Sequence, residues 1–302
     1  MKISCFSLIR DGNRLGYPYV ESIRSVLPLC DEFVVAVGES SDGTLDTLKS
    51  LNEPKLKLIP TRWNENCRSH GFVLGQQKMI AQYNCTGDWA FYLEGDEIIH
   101  EDDLDRMHGA MLHYLQDSEV EALVFDYIHF YGDPQYINVS PAAYRKAARI
   151  LRNNIRAIAP DGLYWAVIKD KTWYGSRNKR RTRYPRSAAL NIPIYHYGNC
   201  RHERFLLAKA ETGNQYWQHR VAFESTYGDI DPTVIVPFEG QHPAVIQDWI
   251  ENSANPSFTF NPDYQLSRRE RKHRLLRPLE KQFGWDVSRR HFRIIRDYRP
   301  GD

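Results

Sequence analysis

The run Phe33-Val34-Val35-Ala36-Val37 limits the fold more than any other stretch of the chain. Five consecutive apolar side chains are hidden only when both faces of a sheet are covered, the situation of a parallel strand under crossover helices. The neighbouring sequence supplies such helices. Residues 2–9 read as a first strand, and Pro18 opens a helix carrying Val20, Ile23 and Leu27, which ends near Pro28. After the apolar run comes the turn Gly38-Glu39-Ser40-Ser41-Asp42-Gly43-Thr44, with Asp42 as N-cap of a helix bearing Leu45, Leu48 and Leu51. A short strand at 56–59, a polar loop at 61–71 and a helix at 72–83 complete the alternation. It predicts an α/β fold with a mostly parallel central sheet flanked by helices.

Trp89-Ala90-Phe91-Tyr92-Leu93 reads as the next buried strand, and it stops at Glu94, Asp96 and Glu97, three carboxylates within four positions. Open α/β sheets bind ligands at the carboxyl ends of their strands, and Gly95 would let a bulky group approach the backbone. A divalent cation carrying a phosphorylated substrate suits that place, because hard cations are shared between one or two carboxylates and substrate phosphates. The plainer account is an acidic helix start, since Glu101, Asp102 and Asp103 follow closely.

With 42% hydrophobic and 26% charged residues over 302 positions, the chain has an ordinary globular composition and the length for a substantial core. Its net charge of +2 is unevenly spread. Acids dominate residues 88–121. Between 171 and 186 stand Lys171, Arg177, Lys179, Arg180, Arg181, Arg183 and Arg186 with no acid, and 268–299 is basic too. The pattern suggests an acidic, metal-binding pole and surfaces for phosphates or an anionic membrane, with Trp173, Tyr174 and Tyr184 as amphipathic anchors in the first basic stretch. Cys5, Cys30, Cys67, Cys85 and Cys200 are odd in number, widely spaced and without a CxxC pair, which speaks for reduced thiols and against a disulfide framework or zinc site. No apolar run approaches the roughly 20 residues of a membrane span. Residues 2–9 are too short for a signal sequence. A cytoplasmic protein is expected, with possible peripheral contact at the inner face of the membrane, and the sequons at Asn84 and Asn138 are then chance matches. No recognition-helix, zinc-finger or RNA-binding-sheet signature is present, so nucleic acid is not an expected partner.

The second half is less regular. Leu104, Met107, Met111 and Leu115 predict an amphipathic helix, and 122–130 a strand with Asp126 and His129 as polar members. Ile150-Leu151-Arg152 and residues 192–197 read as further strands, Pro193 marking the latter as an edge or a strand start. Ser267 and Glu270 form a capping box for a helix with Leu275, Leu276 and Leu279 that ends at Gly284. Residues 253–262, rich in Asn, Pro and Ser, mark a boundary before a C-terminal appendage.

Ser40-Ser41-Asp42-Gly43-Thr44 at one strand end, Glu94-Gly95-Asp96-Glu97 at a later one and His196-Tyr197-Gly198 beyond them occur in an order that resembles family 2 glycosyltransferases of the GT-A fold. The likeness is greatest to the bacterial branch of lipopolysaccharide-core enzymes. It covers about the first hundred residues and the segment around His196. The resemblance implies a GT-A domain at 1–252, with a nucleotide-sugar-binding half at 1–100 and an acceptor half at 101–252, followed by a basic, helical C-terminal extension at 253–302. It further implies a nucleotide-diphospho-sugar donor, a glycan or glycolipid acceptor, inversion at the anomeric carbon and a role in surface polysaccharide synthesis. Donor binding falls to Glu39, Ser41 and Asp42 with Arg10 and Lys78, and the metal, Mn²⁺ or Mg²⁺, to Asp96, Glu94 and His196. The chain departs from the family twice. Val37 and Gly38 precede Glu39 where the family usually has an aspartate for the base, and the metal element is Glu-Gly-Asp instead of Asp-x-Asp.

An imidazole ligand would favour Mn²⁺ over Mg²⁺, although a packed histidine accounts for His196 as well, and His202 is the alternative ligand. Arg201 or Arg204 could neutralise the departing diphosphate. For the base that takes the acceptor proton, resemblance points to Asp161 in Ala159-Pro160-Asp161-Gly162, which an ordinary Pro-Asp-Gly turn explains equally; Glu97 and Asp126 are alternatives. Two other classes stay open at this level: a nucleotidyltransferase, or a non-catalytic glycan- or nucleic-acid-binding protein on a degenerate transferase fold.

Overall fold

The structure is a computed structural model that describes residues 1–169, 181–215, 226–255, 258–286, 288 and 290–299. In the first hundred residues the predicted alternation appears as β1 (Ile3–Ile9), α1 (Tyr19–Val26), β2 (Glu32–Gly38), α2 (Thr44–Ser50), β3 (Leu56–Thr61), α3 (Phe72–Tyr83), β4 (Trp89–Tyr92) and β5 (Glu97–Ile99). There follow α4 (Leu104–His113), β6 (Ala122–Tyr131), β7 (Asp133–Asn138), β8 (Lys146–Arg152), β9 (Ala157–Ile158), β10 (Ala166–Ile168), β11 (Thr182–Arg183), β12 (Arg186–Asn199) and α5 (Arg204–Gln215). The remaining elements are β13 (Ile235–Pro237), α6 (Gln247–Ser253), α7 (Arg268–Phe283) and β14 (Arg293–Asp297).

The fold is α/β around a central sheet in the order β13-β7-β6-β8-β4-β1-β2-β3. The stretch β3-β2-β1-β4 is parallel, with Cys5 opposite both Phe33 and Phe91. Every residue of β2 is buried, as a continuous apolar run requires. Beyond β4 the sheet turns antiparallel through β8 and β6, while β12 runs parallel to β6 and also pairs β5 and β14. Phe91 and Phe125 stack with centroids 5.5 Å apart in the core between sheet and helices. A small sheet, β11-β10-β9, stands apart from the main one.

Several local expectations change. Gly43, in the left-handed region at φ +84°, is the N-cap of α2, and Asp42 acts from one residue earlier by accepting from the Thr44 N–H at 3.0 Å and its hydroxyl at 2.6 Å. Although β12 as a whole is flanked on both sides, Pro193 stands at a local edge within it: it pairs Asp126 of β6, while on the other side the β14 pairing ends at Ala189 and the β5 pairing begins at Ile194. The segment after residue 252 holds α7, capped by Ser267 and Glu270 and ended by Gly284, and adds β14 as a strand beside β12. All five cysteines are free. No helix among the described residues is long and apolar enough to cross a membrane.

Candidate functional site

The carboxyl ends of β1 and β4 open onto a cavity of about 300 Å³. β1 and its following turn contribute Leu8, Ile9, Arg10 and Asp11, and the turn after β4 contributes Glu94, Gly95 and Asp96. Tyr17, Trp63 and Gly162 line other walls, His196 enters from β12, and Lys209 and Thr212 face it from α5. This is the crevice in which an open α/β sheet takes its ligand.

Asp96 and Glu97 are adjacent in sequence and point to different chemistry. Glu97 starts β5 and is fully buried, where Arg149 of β8 forms a charge-assisted hydrogen bond to its Oε1. The Tyr127 hydroxyl donates to the same oxygen at 2.6 Å, and the Glu94 N–H donates to Oε2 at 3.0 Å. Burial pushes the Glu97 carboxyl up to about 7. Arg149 also holds Glu94 Oε1 at 2.8 Å, so the cluster is internally satisfied. Glu97 therefore does not serve a helix start, nor is it open to a substrate proton.

Asp96, also buried, has a different neighbour. The Tyr197 N–H donates to its backbone carbonyl at 2.8 Å, which ties the turn to β12 and brings His196 Nε2 to 3.7 Å from Asp96 Oδ1. That separation is too long for a hydrogen bond. The tautomer of His196 follows from its partners. His129 Nε2 lies 2.6 Å from the Tyr144 carbonyl, which only accepts, so this nitrogen carries the His129 proton. His129 Nδ1 must then accept, and His196 Nδ1, 2.9 Å away, must donate. The lone pair of His196 Nε2 is left facing a carboxylate. Burial keeps both imidazoles neutral, depressing His196 to about 3 and His129 to about 4. For Asp96, burial works against the charge, and the nearby cations Lys209 and Arg201 favour the ionised carboxylate.

Two facing lone-pair donors of this kind are complementary to a cation. A Cβ built on Gly198 would lie 2.7 Å from both Asp96 Oδ2 and His196 Nε2, so the glycine keeps that space clear. Among the described residues no group of three or more His, Cys, Asp or Glu side chains could hold a metal by itself. One carboxylate and one imidazole nevertheless fit Mg²⁺ or Mn²⁺, which complete their shells with water and substrate phosphate oxygens.

The other predicted residues are distributed unevenly. Arg10 lines the cavity, paired with Glu65 at 2.7 Å and 5.2 Å over the Trp63 ring. Asp42 is engaged in structure: besides Thr44 it accepts the Arg14 N–H at 2.8 Å, fastening the two strand-end loops together. Glu39 and Ser41 are exposed outside the lining, Glu39 pairing with Arg62 at 3.1 Å. Lys78 is wholly buried, over Tyr92 and Trp165 at 4.1 and 3.7 Å, and donates to the Gly162 carbonyl at 3.1 Å. Burial and the nearby Arg149 push it well below the usual lysine range, and it reaches the cavity only through the Gly162 wall. Asp161 Oδ1 accepts from the Leu163 and Tyr164 N–H groups at 2.8 and 3.2 Å, the turn role foreseen for it. Asp126 is ion-paired with Lys146. Arg201 is buried 4.1 Å over the Tyr17 ring and donates to the Gly198 carbonyl at 2.9 Å, while Arg204 lies over Phe205; the cation lining the cavity on this side is Lys209. Gly95 serves packing, since a Cβ there would come within 2.9 Å of Ile9 Cδ1 and 3.2 Å of Tyr19 Cβ. In the basic stretch, 171–180 lie outside the described residues, and Arg183 and Arg186 are bound to Glu121.

No protein-family model and no curated protein matches the chain. Among solved structures, it resembles residues 1–349 of S. aureus TarS at 19% identity, over 51% of this chain and 47% of that one, with a TM-score of 0.34. The same protein in complex with UDP-GlcNAc matches at 20% identity, over 51% and 46%, with a TM-score of 0.33. Glucosyl-3-phosphoglycerate synthase from Mycobacterium tuberculosis, in complex with Mn²⁺, UDP and phosphoglyceric acid, matches at 16% identity, over 42% and 43%, with a TM-score of 0.29. The chain thus spans less than half the length of these structures. Likeness at this level assigns no function.

Proposed function

We propose that the protein is a metal-dependent glycosyltransferase of the GT-A type, similar to family 2, that moves a sugar from a nucleotide-diphospho-sugar to a glycan or glycolipid acceptor with inversion. The observation that carries the reading is the pairing of Asp96 with the His196 Nε2 lone pair in a cavity at the carboxyl ends of parallel strands. We take 1–252 as the transferase domain and 253–302 as its extension, and surface polysaccharide synthesis at the inner membrane face as the setting.

Asp96 and His196 would hold Mn²⁺ or Mg²⁺, with Glu94 near enough along the turn to engage its waters. When bound, the cation supplies Lewis-acid stabilisation of the charge that develops on the departing diphosphate. Lys209 and Arg10 line the same cavity and add positive charge for that leaving group, and Trp63 and Tyr17 offer faces to base and sugar. Glu39 and Ser41, exposed after β2, would meet the donor nucleotide. We assign the acceptor proton to the second carboxylate oxygen of Asp161, the first being engaged by its turn. Lys78, through the Gly162 carbonyl, holds that turn in position.

A panel of nucleotide-sugars screened for Mn²⁺-dependent thermal stabilisation identifies the donor, because a ligand of the native state raises its stability by mass action. Turnover of the stabilising donor should release nucleoside diphosphate and a glycosylated product. Release of pyrophosphate would instead make the protein a nucleotidyltransferase. Absence of any metal-dependent stabilisation or turnover across the panel would remove the enzymatic reading.

A further inference from the structure

Helix α7 is mounted the wrong way round for a helix whose partner is water. A surface helix ordinarily turns its apolar stripe inward and its charges outward. In α7 the attachments to the body are polar: Arg274 donates to Asp231 at 2.7 and 3.0 Å, Arg277 donates to the Thr233 carbonyl, and Glu280 accepts from Arg145 at 2.8 and 3.0 Å. The opposite face carries Leu275, Leu279 and Phe283, exposed by 76%, 40% and 54%, and Trp285 just beyond the helix is exposed by 56%. Phe283 and Trp285 stack with centroids 4.9 Å apart, extending one apolar strip. At 3.6 residues per turn, exposed Arg268, Arg271 and Lys272 fall within the same arc of about 120° as the two leucines and the phenylalanine. Arg268 and Arg269 also occupy the first turn, where the helix dipole disfavours cations, so fold stability does not explain them.

We propose that α7 is a docking element for an anionic lipid bilayer, with Leu275, Leu279, Phe283 and Trp285 entering the interface and Arg268, Arg271 and Lys272 meeting lipid phosphates. Apolar side chains beside cations on one exposed helical face are the composition that binds such a surface. A second copy of the chain fits less well, because this arc of α7 carries no carboxylate that could meet the cations of its copy. The inference stands on α7 alone and does not depend on the sugar-transfer reading.

The full chain is sedimented with phosphatidylcholine vesicles and with vesicles containing about one-third phosphatidylglycerol, at low and high salt. The protein is expected to pellet with the anionic vesicles at low salt and to stay in solution with the neutral ones. Each basic residue near the surface contributes roughly a fivefold factor, so replacing Arg268, Arg271 and Lys272 by Gln should weaken binding about a hundredfold. The pair Leu275→Asp and Leu279→Asp should abolish it with only a small fall in the thermal midpoint, because Leu275 is 76% and Leu279 40% exposed. Binding that survives both sets, or no binding of the parent protein to anionic vesicles at low salt, overturns the proposal. So does a stable dimer in sedimentation velocity that the Leu275→Asp, Leu279→Asp pair dissolves, which would make this face a self-association surface.

Discussion

Two charged groups share one strand end and illustrate different uses of a buried carboxylate. Around Glu97, every nearby donor is turned inward: Arg149, Tyr127 and the Glu94 N–H converge on it, and Arg149 also holds Glu94. Around Asp96, the facing ring of His196 presents an acceptor. The first arrangement is complete as it stands and stabilises the turn. The second is complementary to something the protein alone does not supply. Satisfaction of hydrogen-bonding capacity, more than charge or burial, separates the structural carboxylate from the one available for function.

That contrast can be broken most forcefully at Asp96. Asp96→Asn should leave the fold intact and lower turnover of the identified donor by about a thousandfold, the scale of losing the main electrostatic support for a leaving group, as read in steady-state assays. Arg149→Met should do the reverse kind of damage. It strands Glu97 in the interior and should cost about 3–5 kcal/mol of stability in chemical denaturation, whereas the same change at a pair worth little would cost almost nothing. The imidazoles give a pH signature. Their folded values, about 3 for His196 and about 4 for His129, lie below the ordinary 6.5, so the unfolded chain binds more protons between those limits. Stability from both is fully present above pH 6.5 and falls as the pH drops towards 4, with a slope of up to about 1.4 kcal/mol per pH unit for each ring. His129→Leu should flatten this slope. It also removes the acceptor that fixes the His196 tautomer, and should weaken Mn²⁺ binding by about 10–100-fold in a spin-resonance titration while leaving Asp96 in place. The smallest effect is expected at Asp42→Ala, about 1 kcal/mol of stability with little change in metal affinity, because Asp42 accepts from the Thr44 N–H at the start of α2 and fastens a loop.

The same contrast explains what the sequence could reveal. Elements set by local pattern were legible: the apolar run of β2, the helix at 72–83, and the capping box of α7 with its terminal glycine. Asp96 could be proposed because it follows a strand with an identifiable pattern, whereas His196, inside β12, was proposed from the family resemblance alone. Arg149 could not, since it sits in an ordinary strand and its partners are 52 and 55 residues away in the chain. Lys78 and Asp42 were legible as polar residues in the right half, but their partners, two aromatic rings and a neighbouring loop, are set by tertiary packing. The cations and aromatics that complete the cavity, Lys209, Tyr17 and Trp63, come from a helix and loops whose convergence only the fold determines. Strand β14 was missed because Arg293–Asp297 is too charged to read as a strand without β12 beside it.

The central claim is that Asp96 and His196 form the metal and diphosphate site of a sugar transferase. Calorimetric titration of nucleoside diphosphates into the parent protein and into Asp96→Asn, each with and without Mn²⁺, tests it most directly. The predicted result is binding by the parent protein that requires Mn²⁺ and is lost in Asp96→Asn. Binding that is equally strong without the metal, or unchanged by the substitution, would contradict the claim.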